Sequence, residues 1–289
     1  MILVVDYGFV HPTLAQLKGA NVSAVGRYLG QAIGSVKNLT RTEAMLLSDN
    51  NIDVFTIFEY GANQVLGGAP QARTDVALYK AQAAAIGIPA GRPVYFAADF
   101  DIPDYAPNLS EDPSHAFAKL GAAGAYWQVV KNELGLAVSG GYGGYWLIKR
   151  LFDAGLISWG FQTVAWSGNQ WDPRAQLRQL AVTELGNEAD LDIPERTDFG
   201  QWNLKTVAPP PPSPRTPVSE PVLVEGDTGS AVKLLQKLLN ARPIQPGLNP
   251  DGNFGPDTLK AVEAVQRNNH IGVDGIVGPD TWKILGNYT

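Results

Sequence analysis

The sequence predicts a (β/α)8 TIM-like barrel, trimmed on one side, followed by a small all-α three-helix domain. Three observations carry that expectation. The first 204 residues alternate short apolar runs with helical patterns, the rhythm of βα units. The stretch KTVAPPPPSPRTPVSEPV at 205–222 is rich in proline and holds nothing that could form a core, so it reads as a semi-rigid polyproline II spacer. Beyond it one short unit occurs twice, DGNFGPDTLKAV at 251 and DGIVGPDTWKIL at 274. The expected boundaries are a barrel at 1–204, a linker at 205–221 and a three-helix domain at 222–289.

Eight runs qualify as barrel strands. They are ILVVD (2–6), VSAVGRYL (22–29), DVFTIFE (53–59), PVYFAAD (93–99), LAVSGGY (136–142), WGFQTVAW (159–166), LRQLA (177–181) and ADLDI (189–193). Helices fit between several of them. Thr40 to Glu43 forms a capping-box signature for the helix before the third strand. Pro113 marks a helix start, Phe117, Leu120, Gly124, Trp127 and Leu134 line one face, and Gly135 stops it. Between the sixth and seventh strands only SGNQWDPRAQ remains, too short for a full crossover helix, which is the trimmed side. The competing architecture, a doubly wound open sheet, would want a Gly-rich phosphate loop after the first strand, where DYGFVHP stands instead.

In the short domain each repeat has an Asp-Gly turn, a glycine, and then Pro-Asp-Thr opening an amphipathic helix. A third helix precedes them in GSAVKLLQKLLNA, with Val232, Leu235, Leu238 and Leu239 on one face. From VEGDTGSAVKLLQKLL to DGIVGPDTWKILG the pattern resembles the three-helix peptidoglycan-binding domain (PG_binding_1-like) found beside bacterial and phage wall hydrolases. Its repeated Asp, Gly and Trp residues are read as turn and core devices.

Composition narrows the chemistry. The net charge of -6 offers no polycationic face to nucleic acid. There is no cysteine, so disulfides and thiolate chemistry are excluded. His11, His115 and His270 show no metal-ligand spacing, so neither metal nor cofactor is expected. No run is long enough to insert in a membrane. The opening MILVVDYGFVHP lacks a basic flank and is interrupted by an aspartate, so it reads as a first strand and not as a signal peptide.

The acids fall at strand ends. Asp6 ends the first strand, Glu59 the third, Asp99 and Asp101 the fourth, and the eighth carries Asp190 and Asp192. In a TIM barrel those ends converge on the face that holds active sites. Asp99 and Asp101 are two apart, so both are expected on one side of the strand. Gathered carboxylates, without a thiol, metal-spaced histidines or a phosphate loop, point to glycosidic bond cleavage: one carboxylic acid protonates the leaving oxygen and a carboxylate supports the oxocarbenium-like charge or activates water. Tyr7, Tyr28, Tyr60, Tyr142, Trp166 and Trp171 also lie near strand ends, where they could stack on sugar faces.

The motifs VVDYG, FEYG, YFAADFD, GGYGGY and ADLD, in this order over residues 1–202, resemble the glycoside-hydrolase-like domain typified in mycobacterial proteins, also called DUF1906. That family is related to the family 25 lysozymes. The resemblance implies that Asp6 lies in the cleft, that Asp99 and Asp101 stand where family 25 has Asp-x-Glu with the glutamate as acid, and that Asp190 matches the aspartate of the last strand. Asp101 is one methylene shorter than that glutamate, so Glu59 is the second choice for the acid. Tyr28, Tyr60, Tyr142, Trp166 and Asp192 are the candidate substrate-binding residues.

A wall-binding module joined to such a barrel implies a cell-wall hydrolase of endolysin type. Its expected partner is bacterial peptidoglycan, with no nucleic acid and no membrane insertion, and the chain is expected to be a monomer. It is expected to be made in the host cytoplasm and to act at the wall. The alternative is a non-catalytic, glycan-binding barrel used for targeting or adhesion. A peptidase would need a nucleophile or metal site that the sequence does not supply. The spacer could extend up to about 50 Å, so the two domains are expected to contact each other little.

Overall fold

Eight strands close into one barrel in sequence order. They are β1 (Leu3–Tyr7), β2 (Val22–Leu29), β3 (Asp53–Phe58), β4 (Val94–Ala97), β5 (Ser139–Gly143), β6 (Trp159–Thr163), β7 (Leu177–Glu184) and β8 (Ala189–Pro194). The structure is a computed structural model, and it describes residues 3–186, 188–205, 222–241 and 247–286. The expected proline-rich linker, apart from Lys205, lies outside the described residues.

β1 through β7 pair in parallel, each with the next. β8 is antiparallel to both β7 and β1. This corrects the expectation of eight βα-type strands. Only residues 185–188 separate β7 from β8. A parallel return needs a crossover of a dozen or more residues, whereas so short a connection can only make a hairpin.

The barrel helices are α1 (Leu14–Gly19), α2 (Arg41–Asp49), α3 (Gly68–Ile86), α4 (Ala116–Leu120), α5 (Ala122–Leu134) and α6 (Tyr145–Asp153). The capping box at Thr40 forms by half. Thr40 accepts from the Glu43 N–H, but the Glu43 carboxylate turns to Arg27 at 2.7 Å. A buried guanidinium is the stronger partner. The helix expected from Pro113 is broken in two at Gly121, which has φ +54° and sits against the Tyr105 ring. Phe117, expected on the buried face, is exposed. Leu136–Val138, expected to begin the fifth strand, form a 3-10 turn.

Strand alternation divides the barrel into an inner and an outer core. Val4, Ala24, Phe55, Ile57, Tyr95, Ala97, Phe161 and Leu177 fill the interior. Val5, Val25, Val54, Phe58, Val94 and Phe96 point outward and pack on the helices. The chain after β8 returns to close the interior from below. Phe199 joins the inner core, its carbonyl accepts from Tyr95 Oη at 2.7 Å, and Trp202 pairs its backbone with Val54.

The small domain holds α7 (Ser230–Asn240), α8 (Pro256–Asn268) and α9 (Pro279–Gly286). Its sequence repeat is a repeat of hydrogen bonds. Gln236 of α7 accepts from the Gly252 N–H and donates to Asp251, to the Asn253 carbonyl and to Thr258. Gln266 of α8 does the same for the next turn, accepting from the Asp274 and Gly275 N–H groups and donating to Asp274, the Ile276 carbonyl and Thr281. Each Asp-Gly turn is thus pinned by a buried glutamine from the preceding helix.

The domains touch, contrary to the expectation of little contact. Leu180 and Leu191 of the barrel share one apolar cluster with Leu234 and the core of the small domain. Lys237 Nζ lies 2.5 Å from Glu184 Oε2.

Candidate active site

The site follows from the same alternation. Stepping by two along each strand from its inner apolar residues reaches Asp6 on β1, Tyr28 on β2, Tyr142 on β5 and Gln179 on β7. The same step past the ends of β3 and β4 reaches Glu59 and Asp99. On β8, Asp190 pairs across from Asp6, and Asp192 across from Val4 and Gln179. The lower interior is therefore apolar and the upper layer polar. Because β8 is reversed, its acids stand near its start, and that start opens on the same face as the ends of β1 to β7. Gly26 makes the crowding feasible: a Cβ there would come within 2.5 Å of the Phe55 ring and 2.6 Å of the Asp6 Cβ.

Asp6 is the hub. It is 1% exposed, and its two oxygens accept from Tyr28 Oη at 2.7 Å and from Gln179 Nε2 at 2.8 Å. Burial pushes its carboxyl up to about 7, and the Asp190 charge adds to the rise against those two hydrogen bonds. Tyr142 Oη lies 2.6 Å from Gln179 Oε1 and 3.4 Å from Asp99 Oδ1. Its single proton goes to the nearer oxygen, so the approach to Asp99 is only a weak contact. Asp190 is half-buried, and burial followed by the Asp99 charge raises its carboxyl above the usual range. Asp192 is 1% exposed, neither of its oxygens accepts from a donor, and its side chain lies within hydrogen-bond reach of the Asp6 carboxyl. Burial, then Asp6 and Asp190, hold it well above the ordinary carboxyl range. An unpaired buried charge is costly, so these surroundings favour the neutral acid over the carboxylate.

Glu59 is occupied by an ion pair with Lys37 at 2.9 Å. The Lys37 ammonium also lies 4.4 Å from the Tyr28 ring centroid and 5.4 Å from that of Phe9. Cation and acid layer are thereby joined at the mouth.

The structure brings together Asp6, Asp190, Asp192, Tyr28 and Tyr142, with Asp99 at the rim and Glu59 beside them. It leaves Asp101 outside. β4 ends at Ala97, so strand alternation carries one step to Asp99 but no longer governs Asp101. Asp101 is exposed, and no described residue partners it. The loop beyond is tied to α4 and α6 by Asp104, 2.8 Å from Lys119 and 3.0 Å from Arg150, and by Glu111, 2.7 Å from Arg150. Asp192 lies beneath Asp6 and does not reach solvent, which corrects its assignment as a substrate contact. Tyr60 and Trp166 are exposed and make no hydrogen bond to the acids; Tyr60 is 57% exposed and Trp166 sits at φ +55°. Tyr7 faces outward, donating to Glu43, and Trp171 stacks on Arg178. Two residues were missed. Gln179 lies at an inward position two after Leu177, the same signal that marks the acids. Lys37 is in a loop, where no periodicity points to it.

A groove of about 790 Å³ lies apart from the acids, lined by Phe9, Ile33, Val36, Leu46 and Ile86 among others. Among the described residues no group of His, Cys, Asp or Glu has metal-holding geometry.

Comparison with known proteins agrees with this architecture. The crystal structures of the Mycobacterium tuberculosis Tat-secreted protein Rv2525c, with L-tartrate and with HEPES, match with TM-scores of 0.60 and 0.61 at 23% identity, over 69% of this chain and 98% of that one. At that identity the likeness shows the fold alone. An uncharacterized protein in the bpoA1 3' region of Kitasatospora aureofaciens is 48% identical over 67 residues, 23% of this chain and 57% of that protein. The N-acetylmuramoyl-L-alanine amidase CwlL of Bacillus licheniformis is 45% identical over 65 residues, 22% of this chain and 18% of that protein. The chain thus spans from under a fifth to just over half of these curated relatives. Residues 228–285 match the peptidoglycan binding domain family. Residues 15–196 match the Rv2525c-like, glycoside hydrolase-like domain, and the chain belongs to that family.

Proposed function

We propose that this cell-wall-related protein is a peptidoglycan hydrolase of endolysin type, that its barrel cleaves glycosidic bonds of the glycan strand, and that the C-terminal module holds it on the wall. One observation carries the reading: Asp6, Asp99 and Asp190 gather at the open end of the barrel, with Asp6 and Asp190 held above the usual carboxyl range beside an exposed Asp99. Glycoside hydrolysis needs that asymmetry, one carboxyl that still holds its proton and one that is charged. Asp190 has the better geometry for the proton donor, being half-buried and raised. Asp99 is the carboxylate that orients water or the substrate's own N-acetyl group. Asp6, gripped by Tyr28 and Gln179, fixes the position of the pair. The peptidoglycan-binding module and the amidase-named relatives support a wall substrate, and binding through the module would raise the local concentration of barrel on the polymer.

A second reading is a barrel that binds glycan without cutting it. The exposed, unpartnered Asp101 and the Lys37-paired Glu59 favour it. Digestion of purified peptidoglycan separates the two. Hydrolysis creates new reducing ends with wild-type protein, whereas retention on the polymer with no new ends supports the binding reading.

A further inference from the structure

β7 and β8 are the part of the barrel with no helix of its own: among the described residues none occurs between β6 and β7 or between β7 and β8. Their inward side chains, Gln179, Asp190 and Asp192, belong to the site, while Leu180, Leu191 and Ile193 alternate outward. An outward apolar row in an α/β barrel must be covered. Here α7 covers it. That helix has two stripes. Val232, Leu235 and Leu239 are buried in the small domain. Leu234 and Lys237, three residues apart, turn to the barrel: Leu234 shares an apolar cluster with Leu180 and Leu191, and Lys237 pairs with Glu184. The Lys237–Glu184 pair is largely shielded, its side chains 20% and 13% exposed. The hairpin also has an irregular register between Gln179 and Thr183, where ladder support is weakest.

We infer that the C-terminal module serves as the missing outer layer of the β7–β8 hairpin, and that its docking positions Gln179 and Asp190 for the barrel's chemistry. The module is then a buttress of the site as well as an anchor. The effect on catalysis rests on the glycosidase reading; the docking itself does not.

The test uses the full chain with Lys237→Glu and, separately, Leu234→Asp. Amide hydrogen exchange over residues 177–194 should show protection falling about tenfold in each variant, with α8 and α9 still protected. The double variant Lys237→Glu with Glu184→Lys should restore it. If Leu234→Asp also unprotects α8 and α9, the charge variant alone decides. Unchanged hairpin protection in Lys237→Glu, or no rescue by the swap, overturns the inference. Where wild type releases reducing ends, kcat on a short soluble glycan should fall and recover with the swap at constant KM. A wild type that cuts nothing removes the glycosidase reading while the exchange result still stands or falls on its own.

Discussion

Two interiors in this chain treat polar groups in opposite ways. In the small domain Gln236 and Gln266 are buried, and each amide is fully used on a turn. In the barrel Asp192 is equally buried, neither of its oxygens accepts from a donor, and it faces the Asp6 carboxyl that Tyr28 and Gln179 hold. A satisfied buried amide fixes a fold. An unsatisfied buried acid costs stability, and such groups persist where their altered proton affinity serves a purpose. The contrast separates a structural repeat from the proposed reactive layer without reference to any relative.

The largest expected effect tests the reactive side. Asp190→Asn should lower the rate of reducing-end release by ~10²–10⁴ while leaving the melting temperature unreduced. A parallel loss of stability would make Asp190 structural, like the glutamines.

Next comes pH. Asp6, Asp190 and Asp192 are all raised in the folded state. Between the ordinary 3.8 and about 7 for Asp6, the native state binds more protons than the unfolded one. This contribution to stability is full below the unfolded value and is lost as pH rises through the folded one. Melting of the barrel should therefore occur at higher temperature near pH ~5 than near pH ~8. Asp192→Asn should flatten that slope, and a slope that survives the change would assign it elsewhere. Asp104 and Glu111, lowered by Lys119 and Arg150, act in the opposite sense at more acid pH.

The smallest effect belongs to the module. Gln266→Leu strands the buried Gly275 N–H and should destabilise the domain by about 1–3 kcal/mol in denaturant unfolding. A neutral result would mean that the turn holds itself.

Much of this was legible in the residues. All eight strands overlap the apolar runs that marked them, because burial on both faces leaves a near-continuous apolar run; their ends were less legible, as the 3-10 turn at Leu136–Val138 shows. The direction of β8 was harder, since ADLDI alternates identically read either way. The informative feature was the gap before it, too short for a crossover. Asp6 and Asp190 were readable because they are acids in apolar strands. Gln179 holds an equivalent position but is an amide, and so drew no notice. Asp101 misled because it lies past the end of β4, where alternation no longer predicts direction. Contact between the domains was hidden in α7, whose second stripe of Leu234 and Lys237 is too sparse to register as a face.

The most direct test sets geometry against resemblance. Release of reducing ends from purified peptidoglycan is compared for wild type, Asp101→Asn and Asp190→Asn, each checked for native fold. The inward acid layer as the reactive centre predicts that wild type is active, that Asp101→Asn stays within about threefold of it, and that Asp190→Asn falls by ~10²–10⁴. An inactive Asp101→Asn beside an active Asp190→Asn would contradict the account and return the proton donor to the loop beyond β4.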